Sequence, residues 1–314
     1  MKLSIVTTLY QSAAYIDEFH RRISAQAQAL AGDDYEIVMV NDGSPDDSVE
    51  RALALHRQDP HVVVVDLSRN FGHHKAMMTG LAHSQGQRVF LIDSDLEEEP
   101  EWLARFDDRM DESRAEVVFG VQSNRRGGFV ERFTGHGFYA LFRLLTGVNQ
   151  PDNIVTARLM ARRYVDALVA HREREINIGG LWVLTGFRQV SEVVVKQASS
   201  PTTYTFARKL SHLINAITSF SSLPLVLAFY LGAAISGTAG LFIAYLLFRY
   251  FFVAAPPDGY TSILASIWLF SGLIILVLGI QGIYIAKIFS EVKQRPYTIV
   301  RDVHRIPRDD VPQP

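Results

Sequence analysis

The sequence predicts an α/β fold with a parallel-rich sheet covered by helices on both faces, followed by a two-helix transmembrane anchor. Three observations support this prediction. Short apolar runs alternate with amphipathic helical patterns over residues 1–120, as in parallel sheets that are buried on both faces. Polar side chains follow directly after four of these runs. Near the C-terminus, two long stretches lack Asp, Glu, Lys and Arg, and each exceeds the ~20 residues that a helix needs to cross a bilayer.

The elements of the sheet can be assigned in chain order. The first strand is predicted at residues 3–9, and the helix after it has apolar side chains from Ile16 to Leu30 at helical spacing. Turn residues separate the later elements. Further strands are predicted at 36–40, 62–65, 88–92 and 116–120, and further helices at 49–58 and 76–84.

Composition excludes several classes of function. The net charge is −2 and the pI is near 6.6, which argues against nucleic acid as a main partner because nucleic-acid-binding proteins usually carry a strongly basic face. The chain has no cysteine, so disulfides, thiolate catalysis and cysteine-ligated zinc are excluded.

The chain is predicted to have four parts. Residues 1–203 form the cytosolic domain, with an amphipathic helix at about 129–145, and a juxtamembrane amphipathic helix covers 204–222. The anchor at 223–289 and a cytoplasmic tail at 290–314 follow. The membrane spans are expected at about 223–248 and 262–288. Because the tail is rich in Lys and Arg, both termini are expected in the cytosol and the connector outside.

The strongest local motif is the acidic run IDSDLEEEPE at residues 92–101. It begins where a buried parallel strand ends, which is where ligands bind in such sheets. Asp93 and Asp95 point in the same direction if the strand geometry continues. Carboxylate oxygens suit a hard divalent cation, Mg²⁺ or Mn²⁺, held together with a diphosphate. A solvated acidic loop before a helix is the alternative.

Other polar residues follow neighbouring strands. Asp42 is a candidate for binding a base or ribose, although Asp beside Gly and Ser is often only a turn or cap residue. Arg69 is expected at the same edge, where it could neutralise phosphates. His73 and His74 lack a partner at a metal-binding spacing, so we interpret them as ordinary polar residues.

With these motifs placed, the chain resembles family 2 glycosyltransferases of the polyprenyl-phosphate type, which include dolichyl-phosphate mannose synthase and bacterial undecaprenyl-phosphate glucosyltransferases. The resemblance covers nearly the whole chain. It implies a GT-A, Rossmann-like domain that transfers a sugar, with inversion, from a nucleotide-sugar donor to a polyprenyl phosphate. It also implies a bacterial inner-membrane location and a homo-oligomer. The motifs that carry it are SIVTTLY (4–10), VNDGSPDD (40–47), LSRNFG (67–72), IDSDLEEEPE (92–101), RLMARRYVDAL (158–168), TGF (185–187), TTY (202–204) and RPYTIV (295–300).

The resemblance implies roles for individual residues. Asp93 and Asp95 correspond to the D-x-D pair, with Asp95 the principal metal ligand and Glu97 a further one. Nucleotide contacts are implied for Thr8, Tyr10, Asp42 and Asp93. The implied cations are Arg69, Arg125 and Arg126 for the reacting phosphates, and Arg132, Arg158 and Lys196 for the acceptor phosphate.

Three positions depart from the family pattern. Glu97 stands where Gln is common, Ser12 where a nucleotide-binding Glu is usual, and Thr156 where an Asp is frequent. A general base is not required, because a phosphate monoester has its second pKa near ~6 and is already an anionic nucleophile at neutral pH.

Two other functions remain open. A direct glycolipid synthase, with a hydroxyl acceptor, would need a base such as Asp152 or Glu98. A catalytically inactive membrane scaffold would fit the departures at Ser12 and Thr156. Metal-dependent hydrolysis of a donor would separate an enzyme from a scaffold.

Overall fold

The computed structural model describes residues 1–122, 153–173, 176–196, 223–252 and 259–306. These residues belong to two compact units. The first contains the described residues up to 196 together with 295–306, and the second contains 223–252 and 259–294. The expectations that concern Arg125, Arg126, Arg132, Asp152 and the helices at 129–145 and 204–222 lie outside the described residues.

Within the described ranges, the first unit has eight strands and six helices. The strands are β1 (Leu3–Leu9), β2 (Tyr35–Asn41), β3 (Val62–Leu67), β4 (Arg88–Leu91), β5 (Val117–Gln122), β6 (Ile154–Ala161), β7 (Gln189–Val194) and β8 (Val300–His304). The helices are α1 (Ile16–Ala31), α2 (Ser48–Gln58), α3 (His73–His83), α4 (Trp102–Ser113), α5 (Arg162–Val169) and α6 (Ile178–Leu184).

All eight strands form one sheet, in the order β7-β5-β6-β4-β1-β2-β3-β8. The four central strands β4, β1, β2 and β3 are parallel, with Leu3 opposite both Tyr35 and Arg88. Strand β6 runs antiparallel to β4 and β5, and β8 runs antiparallel to β3. The sheet is therefore mixed around a parallel centre.

The sheet is buried on both faces, as the continuous apolar runs predicted. Every residue of β1, β2 and β3 is buried. On one face these strands pack against Phe19 and Ile23 of α1 and Phe106 of α4. On the other face they pack with Met77 of α3 and Leu168 of α5. The predicted arrangement, with helices on both faces of an α/β sheet, is thus observed.

The C-terminal segment differs from the expected tail. Residues 300–304 form β8, which lengthens the sheet beside β3. Arg305 extends this attachment, since its guanidinium donates to Glu36 Oε2 at 2.5 Å and to the His83 carbonyl at 2.6 Å. Thr298 and Thr79 hydroxyls lie 2.8 Å apart. Part of the predicted tail therefore belongs to the N-terminal sheet.

The second unit contains two long helices in its described part, α7 (Leu223–Phe252) and α8 (Tyr260–Val292). Among the described residues, one helical stretch, Phe270–Val292, is long and apolar enough to cross a membrane, with a mean hydropathy of 2.1. It overlaps the second predicted span. A second span, and with it the complete two-helix anchor, is not established by this measure.

Candidate active site

The candidate site lies where the central parallel strands end. Thr8 is near the end of β1, Asp42 directly follows β2, and Asp93 lies just past β4. Since β1 pairs in parallel with both β2 and β4, these three strand ends lie at one edge of the sheet.

Asp42 joins the loop after β2 to the loop after β3. Its side chain is buried and accepts hydrogen bonds from the backbone N–H groups of Phe71, at 2.7 Å, and Gly72, at 3.0 Å. Burial raises the pKa of Asp42, although these two hydrogen bonds oppose that effect. Gly43 has φ +60°, and a Cβ there would lie 2.4 Å from the Arg69 carbonyl carbon. The residue therefore has to be glycine for the two loops to approach each other.

His73 connects two strand ends, a role that its sequence context did not suggest. It begins α3, and its Nδ1 lies 3.0 Å from Thr8 Oγ1. Its Nε2 lies 3.3 Å from Asp93 Oδ1. Burial would raise the pKa of Asp93, but His73 and Thr156 beside it hold that pKa below its usual value. In the sequence, only the position of His73 directly after the loop that follows β3 could have indicated this role.

The acidic loop after β4 is held by its own backbone and by β1. Ser94 donates its hydroxyl to the Thr8 carbonyl at 3.0 Å. Asp95 Oδ1 accepts the N–H of Glu97 at 3.0 Å, in a turn where Leu96 takes φ +61°. A left-handed conformation costs a non-glycine residue about 1–2 kcal/mol, so packing and hydrogen bonds maintain this turn. Burial raises the pKa of Asp95, and Asp93 and Glu97 add to the effect.

Glu98 is fully buried behind this loop. Its Oε1 accepts the N–H of Thr156 in β6 at 2.9 Å, so the carboxyl group fixes the loop to the sheet. Burial, reinforced by the charge of Asp93, raises the pKa of Glu98 to about 8. Its other oxygen, Oε2, is buried and has no hydrogen-bond partner among the described residues.

Lys196 forms ion pairs with carboxylates of this acidic loop. Its Nζ lies 3.1 Å from Glu97 Oε2 and 3.8 Å from Glu98 Oε1. Burial would lower the pKa of Lys196, but Glu98, Asp93, Glu97 and Asp95 raise it above the usual value. This placement differs from the expected contact with an acceptor phosphate.

Arg158 also differs from its expected role. The resemblance implied a phosphate-binding cation, but Arg158 lies within β6 and is 1% exposed. Its guanidinium lies over the ring of Trp182 and donates to the Thr156 carbonyl at 3.2 Å. Burial lowers its pKa to about 9, so the side chain is still a cation at neutral pH. A fully buried guanidinium is not accessible to a lipid phosphate, and its observed role is packing within the sheet.

The structure brings together only part of the predicted site. His73 connects Thr8 to Asp93, and Glu97 connects Asp95 to Lys196. Asp93 and Asp95 belong to the same loop after β4. Tyr10 is 49% exposed. Arg69 lies over the ring of Phe71, and its guanidinium donates to the Asn70 carbonyl.

The donor set at this edge suits a divalent cation in its chemistry but is incomplete. Asp93 Oδ1 is buried without a well-formed hydrogen bond among the described residues, although His73 is near, and Asp95 lies two residues away. Yet no group of three or more His, Cys, Asp or Glu side chains in the described part is arranged to hold a metal. Two carboxylates leave room for oxygen ligands from a diphosphate.

Relatives of the chain share most of its length. A putative glycosyltransferase of Mycobacterium tuberculosis is 48% identical over 97% of this chain and 89% of its own. The SfII prophage-derived bactoprenol glucosyl transferase of Shigella flexneri is 32% identical over 97% of this chain and 99% of its own. Among solved structures, S. aureus TarS 1–349 in complex with UDP-GlcNAc aligns with a TM-score of 0.47 and 17% identity, over 70% of this chain and 66% of that one.

The family model for glycosyl transferase family 2 matches residues 4–169, which is more than half of the chain. The matched range includes β1 to β6 and the acidic loop after β4. The chain therefore belongs to glycosyl transferase family 2 and is a glycosyltransferase.

Proposed function

We propose that this glycosyltransferase transfers a sugar, with inversion, from a nucleotide-sugar donor to a polyprenyl phosphate such as undecaprenyl phosphate. The reaction requires Mg²⁺ or Mn²⁺ and takes place at the cytosolic face of a bacterial inner membrane. The acceptor is suggested by full-length relatives named bactoprenol glucosyl transferase, since bactoprenol is a polyprenol.

The observation that supports this function best is the pair Asp93 and Asp95 at the end of β4. Both follow a central parallel strand, and His73 and Thr8 place Asp93 against the end of β1. When bound, a divalent cation would supply positive charge that stabilises the departing nucleotide diphosphate. Asp93 and Asp95 would hold it, with Asp95 as the principal ligand, whereas Glu97, which was expected as a further ligand, is paired with Lys196.

The remaining steps need only that the acceptor phosphate is aligned with the anomeric carbon and that cations stabilise the reacting phosphates. A lipid phosphate is an anion at neutral pH and attacks the anomeric carbon without a protein base. The bond from that carbon to the nucleotide diphosphate breaks as the new bond to the phosphate oxygen forms, which inverts the anomeric centre. Arg69, Arg125 and Arg126 would stabilise the reacting phosphates, and Arg132 would bind the acceptor phosphate. Tyr10 and Asp42 would contact the nucleotide.

Asp95→Ala tests the reaction and its metal dependence together. Purified full-length protein is incubated with Mn²⁺, a radiolabelled UDP- or GDP-sugar and undecaprenyl phosphate, and label in the organic phase is counted. Transfer is expected in the wild type and is expected to fall at least a hundredfold with EDTA or Asp95→Ala. Asp108→Ala, on the exposed side of α4, is the matched control and is expected to retain activity.

Other outcomes identify the alternatives. Full activity of Asp95→Ala would contradict the assigned metal site. Label in a lipid with a hydroxyl head group, but none in undecaprenyl phosphate, would indicate a direct glycolipid synthase. Absence of both donor hydrolysis and transfer across UDP- and GDP-sugars would favour a scaffold.

A further inference from the structure

Lys196 and Glu97 form a partly buried ion pair beside the candidate metal site. The Lys196 Nζ lies 3.1 Å from Glu97 Oε2, and the two side chains are 25% and 19% exposed. The fully buried Glu98 lies 3.8 Å from the same nitrogen. The pair links the segment after β7 to the loop after β4, so the two residues are brought together only by the fold.

The position of this pair makes its charge important. Asp93, Asp95 and Glu97 lie within one short loop, and like charges in a partly buried site repel each other. Lys196 offsets part of that charge. Its contacts are with Glu97 and Glu98, so the carboxylates of Asp93 and Asp95 keep their oxygens for other ligands.

We propose that Lys196 is a positioning residue, which holds Glu97 in an ion pair and thereby keeps its carboxylate from becoming an additional ligand of the divalent cation. This inference rests on the proposed function. The cation is then bound by the Asp pair and the donor diphosphate, which allows it to leave with the nucleotide product.

The inference predicts the sign of each effect. Without the Lys196 charge, the Glu97 carboxylate loses this ion pair and can turn toward the cation, so the free enzyme binds Mn²⁺ more tightly and UDP less tightly. If Glu97 is first replaced by glutamine, Lys196 has no such carboxylate to hold. The effect of removing Lys196 must then be much smaller.

The experiment is a double-mutant cycle on full-length protein in detergent. Lys196→Met, Glu97→Gln and the double variant are compared by electron paramagnetic resonance of free Mn²⁺ and by calorimetry with UDP. Lys196→Met is expected to tighten the Kd for Mn²⁺ roughly tenfold in the wild-type background, because the cation gains a carboxylate ligand and no longer faces the lysine charge. In the Glu97→Gln background we expect a smaller change, of about two- to threefold, because only the loss of the lysine charge remains.

Two further variants control for charge and folding. Lys196→Arg keeps the cation and is expected to bind Mn²⁺ like the wild type. Arg105→Met removes a cation that pairs with Glu192 of β7, at 2.6 Å, and is expected to leave the Kd for Mn²⁺ unchanged. Melting temperatures establish that each variant is folded.

Three results would overturn the inference. Lys196→Met could leave Mn²⁺ binding unchanged and raise the KM for undecaprenyl phosphate, which would indicate an acceptor-binding lysine. Equal effects in both backgrounds would mean that Lys196 acts through its charge alone. Wild-type protein that binds neither Mn²⁺ nor UDP would contradict the proposed function itself, whereas the first two results leave that function standing.

Discussion

His73 shows how much a single side chain contributes to the arrangement of this site. It is the one described side chain seen to reach from α3 to both Thr8 and Asp93, at 3.0 and 3.3 Å. A residue that orients a metal-binding carboxylate typically changes metal affinity or activity 10–100-fold when it is replaced. His73 is therefore expected to matter for catalysis without contacting the reacting atoms.

His73→Ala is predicted to lower kcat/KM for the donor by roughly 10–100-fold, because Asp93 loses the side chain that orients it. The measurement is the transfer of label to undecaprenyl phosphate over a range of donor concentrations. His74→Ala is the matched control, since His74 Nδ1 lies 3.3 Å from the Ile176 carbonyl instead. Similar losses in both variants would mean that His73 only supports the start of α3.

Glu98 gives a prediction for the dependence of stability on pH. Burial raises its pKa from about 4.5 to about 8, so the folded protein keeps a proton that the unfolded chain releases between these pH values. The free energy of unfolding therefore decreases as pH rises through this range. Glu98→Gln cannot lose a proton, so its melting temperature should rise relative to wild type from pH 5 to pH 8. The exposed Glu50→Gln is the control, and a constant difference for Glu98→Gln would contradict the assignment.

The sequence predicted the residue types of the site better than their contacts. Asp93, Asp95 and Thr8 could be placed together because they follow parallel strands. Arg158 was misjudged because the sequence does not show which side chains are buried, and the sequence did not indicate the ion pair of Lys196. Arg158 lies over Trp182 in the core, and Lys196 meets Glu97 from a distant part of the chain.

At the level of elements, β1 to β5 were predictable and β6 to β8 were not. The first five are continuous apolar runs bounded by turn residues. Strand β6 contains the charged Arg158, and β7 and β8 lie at the two edges of the sheet, where many side chains are exposed. Their pairings join residues far apart in sequence, so no local pattern indicates them.

An ion pair between Arg305 and a buried carboxylate strengthens the attachment of β8. Arg305 donates to Glu36, whose side chain is 2% exposed and also accepts the Ser4 hydroxyl at 2.6 Å. Arg305→Met is predicted to lower the free energy of unfolding by about 3–5 kcal/mol, because it leaves a buried carboxylate without its cation. Urea unfolding in detergent, followed by circular dichroism, measures the change.

Arg51→Met is the matched control for this prediction. Arg51 pairs with Asp17 at 2.7 Å, and these two side chains are 46% and 61% exposed. An exposed ion pair contributes about 0–1 kcal/mol, so this variant should be close to wild type. Equal losses in the two variants would show that burial of Glu36 is not the cause.

For the whole molecule, the path of the chain restricts how the membrane can be crossed. The sheet contains β7, which precedes α7 in the chain, and β8, which follows α8. Strands of one sheet lie on one side of a membrane, so the intervening chain must cross an even number of times. A single crossing by α8 would separate β8 from its partner β3. The hairpin of two spans, formed by α7 and α8 with both ends in the cytosol, stays a prediction, and it is one that satisfies this restriction.

The absence of cysteine makes this topology directly testable. Gln58→Cys, exposed at the end of α2, and Gly259→Cys, before α8, are each introduced into the cysteine-free chain and treated with a membrane-impermeant maleimide. In right-side-out vesicles, Gly259→Cys is predicted to react and Gln58→Cys to be protected, and inverted vesicles should reverse the pattern. The unmodified chain gives the background. Labelling of both positions from the same side would show that α7 does not cross the membrane. Because β3 and β8 share a sheet, α8 could then not cross the membrane alone.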